Sequence, residues 1–404
     1  MAKSTADPGA LDMAAHDDPG HPITSLARFL ADTASSLAGA LILFFVIVSS
    51  SAPILMIGLI EGVGSLSKLV LESIPDPFNQ KNIRLRIASI SYAVGALISV
   101  LLFQMISPIF AILGRFFIKL GDDERSDKFL GSSADKGGKL MPVIPFISGS
   151  GSIGLVMGPF LLLLLFAYLL SVQPTASSDM FQQIFSIALA LGVLSLLLIL
   201  LMRVFIPNSK QKASGETPVP IISLKPLLSS KETRIIFLIT MLLLLASFSP
   251  FFFIYRIYIA SGLILASLGF LAFVIARYAF SPGIALMSLR LGSKKLLVSS
   301  AIFLIIALIL AIVFPSSTII AILSLALWGL SLSILYSAPL SFILLNIKKD
   351  ESRSALSAFD GASGAIGLPA NITAALLWGA TIAGSPATFL FSLIVAILAL
   401  ALLV

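Results

Sequence analysis

Residues Thr24–Leu71 read TSLARFLADTASSLAGALILFFVIVSSSAPILMIGLIEGVGSLSKLVL and indicate the fold class. They form two long apolar segments joined by the short uncharged turn 49–53. Four charged residues lie within these segments: Arg28, Asp32, Glu61 and Lys68. An ionised side chain near a bilayer centre costs at least about 2.5–3.5 kcal/mol, so such residues face a bundle interior or a water-filled cavity. We therefore expect two packed membrane helices whose charged side chains face a transport path.

The composition of the whole chain supports this interpretation. Of its 404 residues, 58% are hydrophobic and 11% are charged, whereas about a quarter of a soluble domain is charged. The apolar runs are continuous, as in 302–314, unlike the short alternating segments of a membrane β-barrel. The sequence predicts an all-α membrane protein that crosses the bilayer many times.

Residue usage excludes several chemistries. The chain has no cysteine, which excludes disulfides, thiolate metal sites and thiol catalysis. The two histidines, His16 and His21, lie in the polar N-terminal stretch and are more simply solvated side chains than metal ligands. No Walker motif is present, and no Ser-His-Asp set lies in the apolar region. We expect neither an enzyme nor a bound metal or cofactor.

The apolar runs predict twelve membrane helices, numbered here as spans 1 to 12. About 20 residues, at about 1.5 Å each, cross the hydrocarbon. The spans are 24–49, 53–73, 84–106, 107–121, 143–170, 180–206, 234–258, 262–284, 295–314, 317–346, 353–380 and 385–404.

Lysine and arginine predict the orientation. Those outside the spans lie in alternate connections, and Lys119, near the end of span 4, is counted with the connection that follows it. The other connections contain neither residue: 49–53, 105–108, 171–179, 259–262, 314–318 and 381–385. Because basic loops stay in the cytoplasm, both termini are expected there. The net charge of +7 therefore reflects membrane topology rather than nucleic-acid binding.

A long polar connection near mid-chain predicts the domain organisation. We expect a disordered cytoplasmic tail at 1–23, an N-terminal six-helix half at 24–206, a cytoplasmic linker at 207–233 and a C-terminal six-helix half at 234–404. The halves resemble each other weakly, since spans 5 and 11 both carry glycines followed by a proline: Gly154, Gly158 and Pro159 in one, Gly361, Gly364, Gly367 and Pro369 in the other. Two similar halves around a central site are typical of secondary transporters.

Several motifs carry a resemblance to a known family. Span 1 contains Phe29-Leu30-Ala31-Asp32-Thr33-Ala34-Ser35, and span 2 contains Gly58-Leu59-Ile60-Glu61-Gly62. Further matches are Arg115, Gly154-x-x-x-Gly158-Pro159, Arg290-x-Gly292-x-Lys294-Lys295 and Gly367-Leu368-Pro369. Over about residues 24–404 the sequence resembles a bacterial branch of the major facilitator superfamily.

The resemblance implies a secondary transporter in a bacterial cytoplasmic membrane that moves a small solute by alternating access. The partial antiporter signature of span 5, which ends in Gly158-Pro159, favours proton-coupled efflux. The expected partners are the solute, protons and the lipid bilayer, without nucleic acid. One chain of this kind is sufficient for transport, so we expect a monomer. The glycines and prolines of spans 5 and 11, and the Arg290–Lys295 motif, are expected to act in packing and gating.

The resemblance is incomplete after span 2. The family's signature loop usually reads Gly-x-x-x-Asp-Arg-x-Gly-Arg-Arg and latches the cytoplasmic side, but residues 76–84 keep only its basic character. One hypothesis is a substitute latch between the acidic run 122–124 and the basic residues Arg84 and Arg86. The departure also leaves open a non-transporting scaffold, receptor or assembly factor with the same architecture.

Three acidic residues are predicted carriers of charge, because a carboxyl group in a low-dielectric cavity can take up a proton near neutral pH. They are Asp32, Glu61 and Asp360. Asp32 has an alternative as a permanent partner of Arg28, one turn earlier. Glu61 has an alternative role in packing against span 11. A direct bond to Lys68 on the same face is not expected, because Lys68 is about 10 Å away along the helix. Asp360 has an alternative as the partner of Arg115 or Arg277.

Arg256, near the outer end of span 7, has three interpretations. It attracts an anionic solute, closes an outer gate with Asp179, or extends to lipid headgroups. An alternative function, uniport or uptake of an anion, places Arg256 and Arg115 in one basic cavity, although Arg115 is more simply tied to the loop after span 4. Arg277 is expected to reach the headgroups. A group of aromatic residues is expected to face lipid more often than a cavity: Phe251, Phe252, Phe253, Tyr255, Tyr258, Trp328, Tyr336 and Trp378.

Overall fold

A computed structural model describes residues 22–73, 91, 94–95, 98–99, 107–120, 143–173, 175–205, 223–380 and 385–403. Within these ranges the chain is helical and contains no strand, which confirms the all-α prediction for them. The helices are α1 (Pro22–Ser49), α2 (Pro53–Glu72), α3 (108–120), α4 (Val143–Val172), α5 (Ser178–Phe205), α6 (Lys225–Ser229), α7 (Lys231–Ala246), α8 (Phe251–Tyr278), α9 (Ser281–Leu291), α10 (Ser293–Val313), α11 (Thr318–Asn346), α12 (Lys349–Ala380) and α13 (Ser385–Leu403).

Eight helical segments in the described ranges are long and apolar enough to cross a membrane. Seven lie in α1, α2, α4, α5, α10, α11 and α13, and the eighth is the 48-residue stretch Lys231–Tyr278. At about 1.5 Å per residue that stretch is long enough for two crossings. The chain is therefore a multi-pass membrane protein. The predicted tail, most of span 3 and most of the mid-chain linker lie outside the described residues.

The structure corrects the continuous helix predicted over 234–258, because the chain leaves the helix between α7 and α8. Pro250 has no N–H to donate to the carbonyl of Ala246, which removes one helical hydrogen bond. The N–H of Ser249 donates instead to Oδ1 of Asn371 in α12, at 2.8 Å. The turn predicted at 259–262 is a kink within α8, where Gly262 has a φ of 80°. Glycine adopts that conformation without steric cost.

Glycines allow several helix pairs to pack backbone against backbone. Gly58 of α2 faces the backbone of Asn371 in α12, and Gly364 of α12 faces the backbone of Ser65 in α2. Gly158 of α4 faces the backbone of α1 between Thr33 and Leu37. Small residues at such contacts are typical of membrane helices, because they let two backbones approach closely.

Aromatic side chains fill the region where α1, α4 and α8 meet. Phe44 packs edge-on against Phe166 and Phe251, with ring centroids 5.5 Å apart in each pair. Phe251 in turn packs against Phe270 at 5.1 Å. The expectation that the aromatic group faces lipid is wrong for four of its members, which are at most 2% exposed: Phe251, Phe252, Phe253 and Trp328. These rings form a packed core that links the two predicted halves.

Candidate transport site

Glu61, near the middle of α2, is bound by two cations from α3. Nε of Arg115 donates to Oε1 at 2.8 Å, and Nζ of Lys119 donates to Oε2 at 2.9 Å. Arg115 and Lys119 are one turn apart, so both reach the same carboxylate. The Glu61 side chain is 9% exposed, against 15% for Arg115 and 23% for Lys119. The arrangement is a partly buried ion-pair cluster in which each carboxylate oxygen has its own cation.

Two glycines make room for the Glu61 cluster. A Cβ at Gly39 of α1 would overlap Nη1 of Arg115. A Cβ at Gly64 of α2 would lie 3.2 Å from Cδ of Lys119 and 3.4 Å from Cγ of Arg115. The long side chains therefore run through space that a larger residue would occupy, and the cluster ties α1, α2 and α3 together.

Lys119 is the member of this cluster that the sequence analysis counted with the following cytoplasmic loop, although it lies within span 4 (107–121). The structure shows it on the last turn of α3, bound to Glu61. The signal that reveals it is the four-residue spacing from Arg115, because residues at that spacing share one helix face. A loop lysine has no reason to keep that register with an intramembrane arginine.

Asp32 lies on α1 where this helix meets α4. Its side chain is 7% exposed, and a Cβ added to Gly154 of α4 would lie 2.9 Å from Cβ of Asp32. Gly154 and Gly158 thus form one face of α4 that packs along α1 beside the acid, with Pro159 following in the same helix. The side chain of Arg28 lies outside the described residues, so its pairing with Asp32 stays a prediction.

Asp360 lies on α12, one turn before a close contact with α2. The residue is 8% exposed. A Cβ at Gly364 would lie 2.6 Å from the carbonyl oxygen of Ser65 and 2.8 Å from Cβ of Lys68. Gly367 continues the same contact against the side chain of Ser65, and Pro369 lies two residues further along α12. The structure therefore brings the helix that carries Asp360 onto α2, the helix that carries Glu61.

Arg256 binds the end of a neighbouring helix. Its Nη1 donates to the carbonyl of Ala311 at 2.7 Å, and its Nε donates to the carbonyl of Pro315 at 3.0 Å. Ala311 is in the last turn of α10, where carbonyls have no helical partner and the helix dipole is negative. Arg256 and Asp179 both lie in the part of the chain that the structure describes, and they do not pair with each other. Arg115 and Arg256 thus contact different protein groups, Glu61 in one case and the end of α10 in the other.

The other predicted cations occupy two different environments. Arg290, Lys294 and Lys295 are exposed around the junction of α9 and α10, where Gly292 has a φ of 81°. Arg277 is half-buried instead, with its guanidinium carbon 5.2 Å from the ring centroid of Tyr278. Its extension to the headgroups stays a prediction.

Comparison with solved structures identifies the fold. The nucleoside transporter NupG matches with a TM-score of 0.67 and 15% identity, over 95% of this chain and 98% of that one. The human organic anion transporter MFSD10 (TETRAN) matches with 0.60 and 15%, over 95% and 98%. The xylose transporter XylE from E. coli, in a partially occluded inward-open conformation, matches with 0.64 and 15%, over 94% and 96%.

The chain has the major facilitator fold. No protein-family model matches the sequence, and no curated protein matches it. At 15% identity, the likeness concerns the fold and carries no information on individual site residues. The names of the three proteins describe each of them as a transporter. The architecture implied by the sequence resemblance is confirmed at the level of the fold.

Proposed function

We propose that the chain is a secondary transporter that exports a small solute across a bacterial cytoplasmic membrane in exchange for protons, by alternating access. The proposal includes twelve spans in two six-helix halves with both termini in the cytoplasm. The observation that carries it is the burial of Asp32 and Asp360, 7% and 8% exposed, within helices of a transporter fold. Acidic residues inside a membrane are costly and by default serve a function.

The positions of the two acids fit a coupling role. Asp32 lies in the first predicted half and Asp360 in the second, and each is next to a glycine-mediated helix contact. Helices that pack through glycines can slide against each other without displacing large side chains. Movement of α4 along α1, or of α12 along α2, therefore changes the access of water to the neighbouring carboxyl group.

Glu61 takes a different part in this proposal. Because Arg115 and Lys119 each donate to one of its oxygens, Glu61 cannot bind a proton without giving up a charge-assisted hydrogen bond. We assign Glu61 to holding α2 on α3. We assign the proton to Asp32 and Asp360 because both are buried beside glycine-mediated helix contacts.

The efflux direction is supported by the packing of α4. The antiporter-like pattern Gly154-x-x-x-Gly158-Pro159 lies directly against α1 at Asp32. A proton on Asp32 changes the charge next to this contact, which links protonation to the movement of α4. The alternative of anion uptake through a shared cavity is less well supported, since Arg256 binds carbonyls at the end of α10.

The test uses purified protein in liposomes with an imposed pH gradient. A panel begins with nucleosides, pentoses and organic anions, the classes that the names of the matched structures suggest, and extends to neutral and cationic drugs. We expect one class to dissipate the gradient, with solute moving opposite to protons. Asp32→Asn and Asp360→Asn should each abolish this coupling. Asp179→Asn, an exposed acid at the start of α5, is the matched control and should retain it.

Other results would lead to other functions. Solute movement that does not respond to the pH gradient in wild type would indicate a uniporter. Folded protein that moves no class, together with stable co-purification of a partner protein, would indicate the scaffold alternative. Coupling that survives in both acid variants would overturn the assignment of the proton to Asp32 and Asp360.

A further inference from the structure

The ring of Tyr336 on α11 is contacted by cations from two other helices. Nζ of Lys68 on α2 lies 5.1 Å from the ring centroid, and the guanidinium carbon of Arg277 on α8 lies 5.2 Å from it. All three side chains are half-buried. Both distances are within the roughly 6 Å at which a cation is attracted to an aromatic face.

This contact joins the two predicted halves. Lys68 precedes the mid-chain linker, whereas Arg277 and Tyr336 follow it. The backbone at Lys68 is held in place, because Gly364 of α12 packs directly on its Cβ. The ammonium group then extends from this fixed point to α11. Tyr336 is therefore the ring at which α2 of one half meets α8 and α11 of the other.

The two cations of the contact lie near the ends of their helices. Lys68 is four residues from the end of α2, and Arg277 is one residue from the end of α8, whereas Tyr336 is ten residues from the end of α11. In the predicted orientation these helix ends lie at the cytoplasmic end of the bundle.

We propose that Tyr336 is a positioning residue of the transport cycle, whose ring holds Lys68 and Arg277 together and keeps this end of the bundle closed. The inference rests on alternating access, the proposed function. The attraction between a half-buried cation and an aromatic face favours the closed contact over the separated one by roughly two- to thirtyfold. The latch needs the aromatic ring and not the hydroxyl group, and it breaks when the ends of α2 and α11 separate.

The absence of cysteine in the chain allows a direct measurement of this separation. Ser73, just after α2, and Asn346, the last residue of α11, are both exposed. Each is replaced by cysteine and spin-labelled, and the distance distribution between the labels is recorded in lipid nanodiscs. Tyr336→Leu should increase the ratio of separated to closed distances by about tenfold, a shift of about 1.4 kcal/mol. Tyr336→Phe should keep the wild-type distribution, because it keeps the ring.

Tyr278→Leu is the matched control. Tyr278 also lies 5.2 Å from the guanidinium carbon of Arg277, but both residues are on α8, so losing this ring should leave the distribution unchanged. Lys68→Met removes the cation and keeps the ring, and it should also increase the ratio of separated to closed distances. It also provides the test if Tyr336→Leu does not fold. An unshifted distribution in the folded leucine variant or in Lys68→Met, or an equal shift in Tyr336→Phe, would overturn the proposal.

The measurement is independent of any transported solute. A distribution that responds to Tyr336→Leu, in a protein that moves no solute in liposomes, would support the latch and refute the transport proposal. Transport by wild type, together with an unchanged distance distribution in the variants, would support the transport proposal and refute the latch. The two proposals can therefore fail separately.

Discussion

The backbone N–H of Ser249 donates a hydrogen bond to Oδ1 of Asn371, 2.8 Å away and 122 positions later in the chain. Ser249 lies in the break between α7 and α8, and Asn371 lies in α12. The amide of Asn371 also donates from Nδ2 to the carbonyl of Gly367 at 2.8 Å. One buried side chain thus satisfies a backbone group that the break would otherwise leave without a partner inside the apolar bundle.

Asn371→Leu should destabilise the protein by about 1–3 kcal/mol, because it leaves the buried N–H of Ser249 without an acceptor. Thermal unfolding in nanodiscs measures the loss. Asn346→Leu is the matched control, since Asn346 donates in the same way to the carbonyl of Phe342 at 2.9 Å but is exposed. Equal stability of the two variants would show that the break does not depend on Asn371.

Glu61→Gln should destabilise the protein, because Arg115 and Lys119 then face each other without a counter-charge. The expected loss is about 3 kcal/mol, the lower end of the range for removing one partner of a buried ion pair. The double variant Glu61→Gln/Lys119→Gln should lose less stability than Glu61→Gln alone, since it removes one of the two repelling cations. Chemical or thermal unfolding in nanodiscs compares them. Glu232→Gln, at an exposed position in the first turn of α7, should cost no more than about 1 kcal/mol. A double variant less stable than Glu61→Gln would contradict this account.

Gly158→Ala should separate α1 from α4. The added Cβ would overlap Oγ of Ser36 and lie 2.7 Å from the backbone nitrogen of Leu37. Overpacking of this kind costs about 1–3 kcal/mol, and the displaced contact should also reduce transport. Gly379→Ala in α12, where a Cβ meets nothing within 4 Å, should be neutral or slightly stabilising through helix propensity. Unfolding and transport of the two variants are compared side by side, and the same outcome in both would refute the close α1–α4 contact.

Arg256→Met should lower stability by about 2 kcal/mol through loss of the hydrogen bonds to Ala311 and Pro315. It should leave the choice of solute unchanged, because the guanidinium binds the end of α10. Arg290→Met, at an exposed position, is the control for loss of a positive charge. Both variants are tested for unfolding and for transport of the solute panel. Selective loss of anion transport in a stable Arg256→Met would restore the anion interpretation of this residue.

Much of the fold could be predicted from particular stretches of sequence. Residues 24–49 and 53–73 were expected as helices, and α1 and α2 agree with them within two residues at each end. The turn expected at 259–262 is the kink at Gly262. The break at 247–250 was missed, although Pro250 marks it, because the apolar run continues through it and hydropathy does not register a lost hydrogen bond.

The candidate site could be predicted only in part. The sequence indicates that Glu61 and Arg115 are charged residues within apolar helices, but it does not pair them with each other and offers Asp360 as an alternative partner of Arg115. Lys119 was counted with the loop after span 4, and Tyr336 was assigned to lipid or cavity without a neighbour. These pairings depend on which helices are adjacent and on how each is rotated about its axis.

The sequence by itself determined that this protein is a bundle of membrane helices with acidic residues inside it. That result follows from hydrophobicity, a property of each segment that does not depend on its neighbours. Only the tertiary structure decided that Glu61 is held by Arg115 and Lys119, that Asn371 supports the break at Ser249, and that Tyr336 joins Lys68 to Arg277. Each of these contacts joins residues distant in sequence, so it depends on which helices are adjacent and no local pattern specifies it.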